Sequence, residues 1–103
     1  MKRTLLSIVV VALLGLAGPS QAAGDAQAGK AKAASCGGCH GANGEGKSAY
    51  PALAGKPEDA LAQAMQDYKS GKLNNAIMKG FVTKLSDDDI ANLAAYYASL
   101  KGK

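Results

Sequence analysis

Apolar residues follow distinct patterns along the chain. From Leu5 to Ala17 they run almost unbroken. Further on, Leu61, Ala64, Met65 and Tyr68 recur at i, i+3, i+4 and i+7, and Ile90, Leu93, Ala94 and Tyr97 repeat that spacing. Each set therefore lies on one face of a helix. Tyr96 and Leu100 widen the second stripe. No stretch alternates apolar and polar residues as a half-buried strand does, and no segment repeats. The pattern is that of an all-α domain.

Terminal signals sharpen these elements. Pro57 suits the first turn of a helix, Glu58 and Asp59 favour its positive end, and Gly71 stops it. Ser86 is a good N-cap for the last helix, with Asp87, Asp88 and Asp89 in the first turn and Asp89 at the capping-box position. Lys101 and Lys103 suit its negative end. Asp25 opens an earlier run rich in Ala, Gln and Lys, which predicts a helix from about Ala26 to Ser35 that delivers Cys36. Gly29 inside that helix costs stability, and close packing against another helix explains it better than a turn. Residues 41–46 and 49–55, dense in Gly and Pro, read as ordered loops. Residues 72–85 read as a third loop ending in an apolar patch of Phe81, Val82 and Leu85. The expectation is three main helices joined by loops.

The apolar run near the start is not part of this domain. Lys2 and Arg3 precede it, and Pro19-Ser20-Gln21-Ala22 follows with small residues suited to signal peptidase. The run falls short of the roughly 20 residues of a spanning helix, and no positive cluster follows, which argues against stable membrane insertion. We therefore expect a signal peptide over residues 1–22 and a domain over residues 23–103. Cleavage leaves about eighty residues, a size at which a chain struggles to bury enough apolar surface unaided. Of the formal charge of +4, two units leave with Lys2 and Arg3, too weak a balance to argue for nucleic acid. The lysines are scattered as on a solvated surface, where some could steer an acidic partner.

Candidate chemistry sits in Cys36-Gly37-Gly38-Cys39-His40, the Cys-x-x-Cys-His attachment signature of c-type haem. Thiols three positions apart reach two vinyl groups on one porphyrin edge, and the following imidazole is held where it can bind iron. Export to the periplasm agrees with haem attachment by a maturation machinery after translocation. The porphyrin would then be the centre of the core, leaving the haem-free chain poorly ordered. Other readings of the two thiols are a redox dithiol, half a zinc site or a structural disulfide. A dithiol oxidoreductase lacks its βαβ context here. Zinc lacks ligands, since Cys36 and Cys39 are the only cysteines and His40 the only histidine.

The chain resembles class I cytochromes c of the short bacterial kind related to cytochromes c5, c553 and the halves of cytochrome c4. The resemblance covers essentially all of residues 23–103. It rests on Gly24-Asp25 and Gly29, Cys36-Gly37-Gly38-Cys39-His40-Gly41, Tyr50-Pro51-Ala52-Leu53-Ala54-Gly55, Tyr68-Lys69-Ser70-Gly71 and the run from Leu85 to Tyr97. It implies the small cytochrome c fold, with the first and last helices crossing where Gly29 admits Tyr96. It also implies covalent attachment of one haem through Cys36 and Cys39, and a Pro51 carbonyl that accepts a hydrogen bond from His40. Relatives of the cytochrome c4 type often carry Arg where this chain has Leu73, so a propionate contact is in question. Of the methionines, Met65 falls on the apolar face of a helix and reads as core. Met78 matches the loop position of the family's second axial ligand. Asn74 or Asn75 could donate toward that sulfur or a propionate.

These residues predict a periplasmic carrier of single electrons, not an enzyme, with His40 and Met78 as axial ligands of one haem iron. It would be monomeric and would serve other redox proteins. No histidine beyond His40 is present to act as acid or base. The alternative is a ligand-binding or peroxidase-like haem protein with an open or labile sixth position.

Overall fold

The computed structural model describes residues 24–47 and 50–101; the expected signal peptide at residues 1–22 lies outside them. Helix α1 spans Ala26–Lys32 and passes through a 3-10 turn, Ala33–Ser35, into α2, Gly37–His40. Then follow α3 over Glu58–Ser70, α4 over Ala76–Val82 and α5 over Asp87–Ser99. The described residues contain no strand, only an isolated bridge between Lys47 and Tyr50.

The predicted ends are close to those observed. Asp25 caps α1 by accepting from the Gln27 and Ala28 amides. Pro57 stands one place earlier than expected, as the N-cap of α3, and Gly71 ends that helix with a φ of 90°. In α5 the capping box is complete: Asp89 N donates to Ser86 Oγ at 3.0 Å, and Ser86 N to Asp89 Oδ2 at 3.1 Å. The aspartate serves despite being shorter than the usual Glu.

One expectation fails. Residues 72–85 are not an irregular loop throughout, because Ala76–Val82 forms α4. Asn75 nucleates it, its side-chain oxygen accepting from the Ile77 and Met78 amides at 3.0 Å each. The helix was hidden by its seven residues and by Gly80 within them.

Helices α1 and α5 pack directly on one another. A Cβ placed on Gly29 would stand 1.9 Å from the Asn92 carbonyl oxygen and 2.8 Å from Tyr96 Cβ, so only glycine permits this approach. The Asn92 side chain strengthens the junction by accepting from the Asp25 amide at 2.7 Å. Ala33, Leu61, Leu93, Ala94, Tyr96 and Tyr97 form the buried cluster between α1, α3 and α5. Each large apolar side chain so buried is worth about 1.5–3 kcal/mol relative to exposure. Helix α4 lies against α3 and buries only Val82, while Ile77 and Phe81 stay exposed.

Candidate functional site

The site grows from the turn that follows α1. The 3-10 segment and α2 carry Cys36, Cys39 and His40 into a cavity of about 500 Å³, a common size for a cofactor pocket. Leu53, Leu61, Met65, Val82 and Leu93 give its wall an apolar character. Met78, from α4, lines the same cavity. Cys36 and Cys39 are both half-buried, and the His40 ring is 7 % exposed. Among the described residues no three His, Cys, Asp or Glu side chains meet in a group that could hold a metal ion.

The loop after His40 folds back to hold the imidazole. Gly46 N donates to the His40 carbonyl at 2.7 Å, while Leu53 and Ala54 both donate to the Gly44 carbonyl at 2.7 and 2.9 Å. Gly44 has a φ of 68°, and a Cβ there would meet the Tyr97 ring at 2.6 Å, so a side chain is barred on both counts. These bonds set the Pro51 carbonyl 2.8 Å from His40 Nδ1. With the Nδ1 proton donated to Pro51, the lone pair of Nε2 is left for a ligand. Tyr50 packs edge-on to the imidazole, with ring centroids 6.2 Å apart.

Helical periodicity places Tyr97 on the buried stripe but does not announce its place at the cavity. Its ring belongs to the core, yet it also lines the cavity, and its buried hydroxyl makes no well-formed hydrogen bond but faces the Cys36 thiol. Burial raises the phenol pKa, reinforced by the Cys36 thiol beside it. Burial likewise raises the pKa of the Cys36 thiol, against opposing contacts with Tyr97 and Ser35. Lys56 is the one charged side chain among the described lining residues. Leu73 does not line the cavity and stays 40 % exposed. Asn75 does line it, with its side-chain oxygen committed to capping α4. Met65, read as core, packs on the buried cluster and also reaches the cavity wall.

Two thiols, an imidazole with its second nitrogen committed, a thioether from a separate helix and an apolar wall make a donor set suited to a covalently held haem. The site and the all-α shell around it define a c-type haem protein. A family model for cytochrome c matches residues 26–101. The chain is 49 % identical over 102 residues to cytochrome c4 of Pseudomonas aeruginosa, covering 98 % of this chain and 50 % of that protein. It is 42 % identical over 81 residues to cytochrome c-554(548) of Halomonas halodenitrificans, covering 75 % of this chain and 98 % of that protein. The crystal structure of reduced recombinant cytochrome c4 from Pseudomonas stutzeri superposes with a TM-score of 0.75 at 40 % identity, over 79 % of this chain and 48 % of that one. The chain thus spans about half the length of the cytochrome c4 proteins it matches.

The chain belongs to the cytochrome c family, as a class I c-type cytochrome of the short bacterial kind. It carries covalently bound haem c with its iron.

Proposed function

We propose that the chain is a periplasmic one-electron carrier, exported by residues 1–22, with its haem tethered by Cys36 and Cys39 and its iron held between His40 and Met78. The observation that carries this reading is that one apolar cavity collects both thiols, the Pro51-bound imidazole and the Met78 thioether from different elements. The bound haem supplies a one-electron ferric–ferrous couple. The chain's residues do the rest. The Pro51 carbonyl fixes the imidazole tautomer and its orientation, which also raises its basicity as a ligand. Met78, a soft thioether, favours the ferrous state and raises the potential. The apolar wall excludes water, so little solvent reorganises when the charge changes. Ile77 and Phe81 leave apolar surface at the cavity rim, where another redox protein can approach.

Carbon monoxide tests this function. The reduced holoprotein, produced by export with the haem maturation machinery, is expected to keep its visible spectrum at neutral pH when CO is added. A prompt shift of the main haem band would overturn the carrier reading in favour of a ligand-binding protein with an open sixth position.

A further inference from the structure

Every described lysine except Lys69 is exposed at the surface. Lys69 lies half-buried in the last turn of α3, where its Nζ donates to the Leu85 carbonyl at 2.5 Å. Holding a long cationic side chain there costs hydration and rotamer freedom, and a charge-assisted hydrogen bond offsets that cost.

The bond sits at a telling place in the chain. The segment that carries α4 leaves α3 at Gly71 and rejoins the core at Ser86. At its start, Gly71 N donates to the Tyr68 carbonyl at 3.2 Å and Leu73 N to the Asp67 carbonyl at 3.0 Å. At its end, the Leu85 carbonyl takes the Lys69 ammonium, and Gln66 Nε2 donates to Asp87 Oδ1 at 3.0 Å. Both ends therefore hang from the final turns of α3. Between these tethers, α4 is a seven-residue helix with one buried residue, Val82. A helix so short has little stability of its own, so its placement depends on how its ends are held.

We propose that Lys69 is a positioning residue, clasping the Met78-bearing strap over the haem cavity and limiting how readily the sixth position opens to an external ligand. This rests on Met78 being the axial ligand. An outside ligand must compete with the closed strap, so its apparent affinity scales with the fraction of molecules whose strap is open. Removing the clasp raises that fraction.

The test is imidazole titration of the ferric holoprotein, comparing wild type with Lys69→Met, Lys69→Arg and Met78→Ala. Lys69→Met should bind imidazole about tenfold more tightly than wild type with haem content unchanged, the size expected for losing one hydrogen bond from a charged donor. Lys69→Arg, which keeps a cationic donor, should restore resistance. Lys69→Gln takes the place of Lys69→Met if that variant does not accumulate, with the same expected direction. Hydrogen exchange adds a second readout: the Thr83 amide, bonded to Lys79 O, should exchange faster, while amides in the middle of α5 are unchanged. Wild-type imidazole affinity in the loaded Lys69→Met protein would overturn the proposal, as would equal acceleration in α4 and α5. If Met78→Ala binds imidazole no better than wild type, the ligation reading fails as well. A negative result confined to Lys69 overturns the clasp alone.

Discussion

Gly29 and Asn92 meet backbone to backbone, with the Asn92 carbonyl oxygen 1.9 Å from where a Cβ on Gly29 would stand. The neighbour there is main chain, so it cannot swing aside. The contact joins α1, which leads into the two cysteines, to α5, which supplies Leu93 and Tyr97 to the cavity wall.

Gly29→Ala should therefore lower stability by about 1–3 kcal/mol through overpacking, although alanine is the better helix former. Thermal unfolding of the holoprotein checks this. A variant at or above wild-type stability would mean that the two helices do not approach this closely.

Gly80→Ala should move stability the other way. Gly80 lies inside α4, and nothing stands within 4 Å of a Cβ placed on it. Without steric conflict, the gain should be about 0.5–1 kcal/mol. It should appear as slower hydrogen exchange in α4. The opposite signs expected at Gly29 and Gly80 separate a glycine held by packing from one that is merely tolerated.

The capping box of α5 makes the fold acid-sensitive. The hydrogen bond from the Ser86 amide, with Lys32 nearby, holds the Asp89 carboxyl below its ordinary pKa of 3.8. A carboxylate with a lowered folded-state pKa contributes stability that is fully present above its unfolded value and fades as pH falls through the folded one. Asp89→Asn should thus be less stable than wild type at neutral pH, with the gap narrowing once the pH drops below 3.8. Denaturant unfolding at a series of pH values measures it, and a gap independent of pH would contradict the assignment.

Much of this architecture could be read from local pattern because local chemistry encodes it. The stripes through Leu61 and Ile90, the stop at Gly71 and the cap at Ser86 each depend on residues a few positions apart. The attachment motif is likewise contiguous. Helix α4 escaped for a physical reason: Ile77, Met78, Phe81 and Val82 do have helical spacing, but they fill little more than one turn and turn mostly toward the cofactor cavity. Asn75 was the available signal, an N-cap in an otherwise plain stretch. The contact of Lys69 with Leu85, that of Asn92 with Asp25, and the buried Tyr97 hydroxyl join or face residues distant in sequence, and no local pattern specifies them. The contact between His40 and Pro51 was anticipated through the family resemblance, and the structure shows the loop bonds that hold it.

Met78, and not Met65, is expected to complete the coordination begun by His40. The direct measurement is the far-red absorption of the ferric holoprotein, where a methionine sulfur on ferric haem produces a weak charge-transfer band. We expect the band in wild type and in Met65→Ala, and its loss in Met78→Ala with covalent haem retained. A band that survives in Met78→Ala, or one absent from the wild type, would contradict the account.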